Sequence, residues 1–208
     1  KYPINNSAVS VQTSEQRKFI EDEERRANMD GALTFQWYDL EQVGTDRSLP
    51  TPISFSWLDS NDEASKNAYC FLLISENADM NDAWCYITSE SSLDIYNLKV
   101  GTRYYWCVQK NGRRSCVNSF RVLPTLPRCI SLGGISNVRD IGGYNVKGGK
   151  IRQGLAYRGG EFELHMHLTP SGINELQRLK VKTELDMRGE AKDKVDFTTV
   201  ETIGIKRI

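Results

Sequence analysis

Three groups of residues have the types and spacing to do chemistry. The first is a run in which seven glycines fall between Gly142 and Gly160, with Arg139, Arg152 and Arg158 beside or among them. Paired glycines let a backbone take positive φ and come close to a ligand. Arginine forks match phosphate or carboxylate oxygens. On residue chemistry alone, a glycine-rich β-meander with a solvated basic rim explains the same run. The second group is Cys107-Val108-Gln109-Lys110-Asn111-Gly112-Arg113, a Cys-x5-Arg spacing that could close a thiolate and a guanidinium on one phosphoryl group. Its surroundings argue otherwise: Trp106 precedes it, Gly112 is its one glycine, and a strand pattern follows Arg113 where an anion loop needs a helix N-terminus. Asn111-Gly112 is a strong two-residue hairpin signal, so this is expected to be a hairpin. The third group is Glu163, His165 and His167, which would share one face of a strand and could hold zinc. Such a trio is usually polar surface, and neither a metal nor any other cofactor is expected.

The elements that must position these groups change texture along the chain. Residues 1–13 are polar and without period. Residues 14–30 predict a charged surface helix, with Ser14 as cap, Glu21/Arg25 and Asp22/Arg26 at i,i+4, and Phe19, Ile20, Ala27 and Met29 as its buriable residues. From 33 to 123, short aromatic and β-branched runs at 34–40, 53–58, 68–75, 84–88, 92–96, 103–110 and 113–123 predict an all-β sandwich. Alternation sends Tyr104, Trp106 and Val108 inward and Tyr105, Cys107 and Gln109 outward. Pairing Lys110 with Arg113 sets Cys107 opposite Cys116 in a non-hydrogen-bonded pair, close enough for a disulfide. Cys70 and Cys85 could form a second. Residues 124–127, with two prolines, read as a linker, and Cys129 follows unpaired. Thr169-Pro170 opens a helix that buries Ile173, Leu176 and Leu179. Residues 181–187 predict a buried strand delivering Asp186 and Arg188 at its carboxyl end, where α/β folds place ligand chemistry. Residues 197–205 predict one more strand.

Bulk properties narrow the partners. Among 208 residues, Lys+Arg and Asp+Glu are 27 each, so the net charge is zero. A general nucleic-acid or anionic-membrane binder would need a basic excess, so neither is expected. No run has the length of a membrane span, and no hydrophobic leader heads the chain. The first residue is Lys1, which fits removal of a leader or tag. A disulfide would point to an exported location, secreted, cell-surface or periplasmic, with the cytoplasm as the competing location.

Two resemblances give these patterns a context. Asn137-Val138-Arg139-Asp140-Ile141-Gly142-Gly143-Tyr144, then Gly149-Lys150-Ile151-Arg152 through Gly154 to Tyr157-Arg158-Gly159-Gly160-Glu161, then Leu185-Asp186-Met187-Arg188-Gly189-Glu190, resembles the opening half of a bacterial cysteine-dependent tyrosine phosphatase family. That family is related to dual-specificity and phosphoinositide phosphatases. Leu98-x-x-Gly101-Thr102-x-Tyr104 resembles the tyrosine corner of fibronectin type III domains, and Trp57 resembles their core tryptophan. The resemblances imply a multidomain chain: an N-terminal segment over 1–32 and a fibronectin-III-like β-sandwich over 33–123. The linker at 124–127 then leads to the N-terminal portion of an α/β cysteine-phosphatase domain over 128–208. They imply that Arg139, Asp140, Arg158, Asp186 and Arg188 surround or brace an active site. The family's nucleophile belongs to a His-Cys-x5-Arg loop downstream of the Asp-x-Arg strand, so no catalytic residue is expected within these 208 residues. Gly159 stands where the family usually has serine.

Three functions follow as expectations. One is a phosphomonoester hydrolase acting on phosphotyrosyl protein or a small phosphomonoester. The second is an exported binding or adhesion module with a degenerate phosphatase-like scaffold, its sandwich taking a protein or carbohydrate partner. The third is a phosphoinositide phosphatase.

Overall fold

The computed structural model describes residues 5–21, 48–58, 68–162, 166–187 and 198–208. It is β-rich with few helices and divides into two compact units, one ending at Arg128 and the other running from Cys129, with Ser48 and Leu49 also in the second. The predicted strand at 34–40 and most of the predicted 14–30 helix lie outside the described residues.

In the first unit the chain runs β1 (Ser7–Val9), α1 (Ser14–Glu21), β2 (Ile53–Ser56), β3 (Cys70–Ser75), β4 (Trp84–Thr88), β5 (Ser92–Ile95), β6 (Arg103–Lys110), β7 (Arg113–Arg114) and β8 (Asn118–Val122). One sheet has the order β1-β8-β6-β3-β4, with β7 also on β6, and β2 pairs β5 in a second. The inward residues of both make one core: Ile53 and Phe55, Leu72 and Ile74, Tyr104, Trp106 and Val108, Phe120 and Val122. Phe55 meets Trp106 and Phe120 edge-on, at ring separations of 5.1 and 5.7 Å. Such contacts add to burial of order 2 kcal/mol per large side chain. Trp57 packs at the margin of this core. The Tyr104 hydroxyl accepts the Lys99 amide at 2.8 Å, fastening the turn before β6 to the strand itself. Burial pushes the phenol well above its ordinary value, so it stays a neutral hydroxyl.

Three local expectations are corrected. Residues 1–13 are not patternless: Ser7–Val9 pairs parallel with β8 and buries Val9, a strand too short to show a period. The cap of α1 is Thr13, one residue before Ser14. Thr13 Oγ1 accepts the Gln16 amide, and Gln16 Oε1 accepts the Thr13 amide, a reciprocal capping box. The 124–127 segment is held to the first unit, since Gln12 Nε2 donates to the carbonyls of Thr125 and Pro127 and Leu126 packs on the core. Finally, 113–123 is two strands. Lys110 faces Arg113 and Gln109 faces Arg114, as the Asn111-Gly112 turn requires, both turn residues having positive φ. Trp106, however, faces Asn118, one residue out of that register. Ser115 causes the slip: its amide donates to the Val108 carbonyl, while its hydroxyl takes the Val108 amide that its own carbonyl would have accepted. Cys107 therefore opposes two residues, Cys116 and Val117, in a β-bulge.

In the second unit, β9 (Arg128–Cys129), β10 (Arg139–Asp140) and β13 (Tyr157–Arg158) form a sheet in the order β13-β10-β9. β11 (Asn145–Val146) and β12 (Gly149–Lys150) form a hairpin. Helix α2 (Pro170–Arg178) starts as its sequence predicts, with Thr169 Oγ1 accepting the Gly172 amide and Pro170 in the first turn. It buries Leu176 against Ile130, Leu132, Ile135 and Val138. The 181–187 segment is not a buried strand. Only β14 (Thr183–Glu184) is regular, and Leu185 and Met187 are 66% and 84% exposed. Nor is 197–205 a strand. Its β-branched residues form the short helix α3 (Thr198–Thr202), which buries Val200, before β15 (Lys206–Arg207) runs parallel to β14. Core burial of Val200 and Ile205 overrides the strand propensity of the threonines.

Candidate functional site

The glycine-rich stretch folds as one long hairpin on β10 and β13. Arg139 faces Arg158, and Asp140 faces Tyr157. Beyond them the arms stay zipped, the Ile141 amide donating to Ala156, Gly143 to Ile151 and Ile151 to Tyr144, until β11 and β12 close the tip. Asp140 is the pin of this hairpin. Its buried carboxylate accepts the Gly142 amide through Oδ1 and the Gly154 amide through Oδ2, each at 2.7 Å, so one side chain holds both arms. Gly142 has to be glycine because a Cβ there would lie 2.4 Å from the Arg152 carbonyl oxygen.

Above the pin, two guanidinium groups sit on facing positions. Arg139 is half-buried and donates through Nη2 to Asn137 Oδ1, while Arg158 is exposed. Asn137 takes a left-handed φ of 59°, and its amide donates to Ser48 Oγ at 2.8 Å. Burial lowers the Arg139 pKa and the Arg158 charge lowers it further, whereas Cys129 and Tyr144 act in the opposite direction. Burial likewise raises Tyr144, against the pull of Arg139. Arg139 and Arg158 thus bring two forked donors to facing positions, with Tyr144 and buried Cys129 close enough to influence Arg139. The neighbouring glycines pack closely as well. A Cβ on Gly159 would sit 3.0 Å from Val138 Cγ2, so a serine there needs Val138 to give way by a few tenths of an ångström.

The other expected site residues fare unequally. Asp186 lies just past β14, half-buried, its amide donating to the Ile208 carbonyl at 3.0 Å. Arg188 lies outside the described residues, as do Glu163 and His165. His167 is exposed, and its carbonyl approaches Gly134 so closely that a Cβ there would overlap it. Among the described residues no group of three potential ligands could hold a metal. Sequence reasoning missed Glu184 and Arg207, which face each other on β14 and β15 and join through Arg207 Nε and Nη2 to Glu184 Oε2 at 2.9 and 2.8 Å. Opposite charge on two segments of strand-like composition was the available signal.

Cys107 and Arg113 belong to the β6–β7 hairpin, without a helix to cradle phosphate. All five cysteines are free thiols. Cys107 is buried and Cys116 exposed, and the bulge removes the one-to-one register on which their bridge was expected. Cys70 and Cys85 stand three residues apart in the β3–β4 register, Cys70 buried in the core and Cys85 exposed, which does not suit a bridge either. Burial raises the Cys107 thiol, against the effect of nearby Arg114.

Residues 130–207 match the tyrosine phosphatase family. The match spans the glycine-rich hairpin, α2 and the β14–β15 pair, and it supports phosphatase-like function at the level of the family. No curated protein matches the chain. No helix among the described residues is long and apolar enough to cross a membrane.

Proposed function

We propose that the second unit is the supporting part of a cysteine-dependent phosphatase domain that hydrolyses phosphotyrosine or related phosphomonoesters, placed after a fibronectin-III-like module. The family match over residues 130–207 carries this reading. Its chemistry agrees with the hairpin geometry, since the paired arginines of β10 and β13 offer forked donors to a dianionic phosphoryl group or to residues that hold one. Asp140 fixes those strands rather than reacting. Arg188 is proposed to join Arg139 and Arg158 in bracing the site, with Asp186 at the end of β14 beside it. The fibronectin-III-like reading of the first unit draws support from the β8-β6-β3-β4 order beside β2-β5 and from the Tyr104–Lys99 bond.

The test is hydrolysis of phosphotyrosyl peptide. A chain carrying these residues together with a His-Cys-x5-Arg loop turns it over with saturation, and Arg158→Ala lowers kcat/KM about tenfold or more. The 208 residues alone give no saturable turnover, because their one Cys-x5-Arg is a hairpin. Turnover by the 208 residues that disappears in Cys107→Ser would make that hairpin catalytic. A folded, loop-bearing chain inert toward every phosphomonoester would turn the reading toward a binding scaffold.

A further inference from the structure

The tip of the glycine-rich hairpin ends in open space. β11 and β12 form a two-stranded sheet of their own, joined at Lys147-Gly148. A Cβ added at Gly148 or Gly149 would meet nothing within 4 Å. Two strands alone are marginal in water and are steadied when one face is covered. The register decides which side chains share a face. Asn145 faces Lys150, Val146 faces Gly149, and the Ile151 amide donates to the Tyr144 carbonyl. Alternation therefore sets Tyr144, Val146 and Ile151 on one side and Asn145 and Lys150 on the other. The apolar three are 45%, 50% and 41% exposed.

Along the hairpin, charge has one sign. Between Asp140 and Glu161 the sequence holds Lys147, Lys150, Arg152 and Arg158 and neither aspartate nor glutamate. Asp140 is buried against the Gly142 and Gly154 amides, whereas Lys147, Lys150 and Arg152 are exposed. The zero net charge of the whole chain averages out this local excess. These side chains are of the kinds that settle at a lipid–water boundary. They are aliphatic groups, a tyrosine with an apolar body and a polar tip, and lysines whose long stems let the charge stay in water. Backbone groups of β11 and β12 pair across the hairpin, so the tip can leave bulk water with its ladder intact. A second copy of the chain fits poorly, since it would set like charge against like charge.

We propose that the hairpin tip is a docking element for a membrane surface rich in anionic lipid. Tyr144, Val146 and Ile151 enter the boundary between headgroups and acyl chains, and Lys147, Lys150 and Arg152 meet the negative headgroups. The tip rests on the surface and spans nothing. This inference is independent of the phosphatase reading, which concerns Arg139 and Arg158 at the base of the hairpin.

Vesicle flotation tests it on the full chain. The probes are vesicles of phosphatidylcholine, alone or with about 30% phosphatidylserine. Soluble polyglutamate, its binding read by fluorescence anisotropy, is the lipid-free polyanion. Phosphatidylserine vesicles are expected to bind at least about tenfold more tightly than phosphatidylcholine vesicles, and to weaken as salt rises to about 0.5 M. A basic residue near such a surface contributes about fivefold, so Lys147→Gln with Lys150→Gln is expected to lower binding about twentyfold. Val146→Ser with Ile151→Ser, which leaves the charge alone, is expected to lower it about tenfold. Both variants change exposed side chains and should keep the wild-type far-UV spectrum and melting temperature. In hydrogen exchange the vesicles should slow peptides over 144–151 and leave those of β3 and β6 unchanged. No binding to phosphatidylserine vesicles, binding untouched by either variant, or protection that spares 144–151 would overturn the proposal. Polyglutamate bound as tightly as the vesicles, with the serine variant without effect on either, would also overturn it, making the occupant an acidic protein.

Discussion

Replacing Asp140 by alanine removes both bonds that join the arms of the glycine-rich hairpin. Each is a charge-assisted bond from a backbone amide at 2.7 Å, a type that contributes about 1.5–3 kcal/mol. Gly142 is buried, so its amide also loses its acceptor with little access to water, whereas Gly154 is half-buried and can be rehydrated. The expected loss for the second unit is about 3–5 kcal/mol. Asp140→Asn keeps one acceptor and presents an N–H to the other amide, so it is expected to cost as much as alanine or slightly less. Tryptophan fluorescence does not isolate this event, because three of the four tryptophans, Trp57, Trp84 and Trp106, belong to the first unit. Hydrogen exchange read by mass spectrometry does. Peptides covering 139–158 should exchange about a hundredfold faster in Asp140→Ala, while peptides from β3 and β6 keep their wild-type rates. Protection of 139–158 changed by less than about twofold would refute the pinning role. If a loop-bearing chain then lost turnover all the same, Asp140 would be a reacting group.

Gly142→Ala and Gly148→Ala separate two reasons for glycine. The first meets the Arg152 carbonyl and should unzip the hairpin. The second enters open space at φ +90° and should cost only about 1 kcal/mol, both read by the same exchange experiment. Tyr104→Phe leaves the ring buried but strands the Lys99 amide, for a loss of about 1–3 kcal/mol in urea melts followed by tryptophan fluorescence. Because the folded pKa of Tyr104 lies above its unfolded value of 10.0, the wild type loses stability as pH rises through that value, and the phenylalanine variant should lack this part of the alkaline decline. Native alkylation should modify Cys85 and Cys116 and spare Cys70, Cys107 and Cys129 until unfolding; a Cys107–Cys116 peptide pair in an unreduced digest would contradict the bulged register.

The strands legible in the sequence were those whose aromatic and β-branched residues alternate over a whole element. β4 and β6 match their predicted limits residue for residue, and Tyr104, Trp106 and Val108 point inward as alternation requires. What escaped was decided by single hydrogen bonds or by distant partners. One serine hydroxyl at 115 shifts the register of β8, and no periodicity records it. β1 exists because β8 offers an edge. Thr198–Thr202 is helical because Val200 and Ile205 must both reach the core within a short span. At the candidate site the motif located Arg139, Asp140 and Arg158 together. That Asp140 serves two glycine amides depends on loop closure between residues 14 apart, which spacing does not encode.

The parallel pairing of β1 with β8 sets how the first unit answers a mechanical load. Ser7 faces Phe120 and Val9 faces Val122, so traction on the chain entering at β1 and leaving at β8 runs along the two strands in opposite senses. The Asn6 amide on the Ser119 carbonyl, the Asn5 side chain on the Ser119 amide and the Leu123 amide on the Val9 carbonyl carry that load at once, in shear, instead of parting in sequence as in a peeled hairpin. Stretched from its ends, the first unit should yield at high force in one abrupt step. In a chain tethered between two surfaces, the ladder of β1 and β8 is the clamp of the first unit, and its rupture releases the strands behind it.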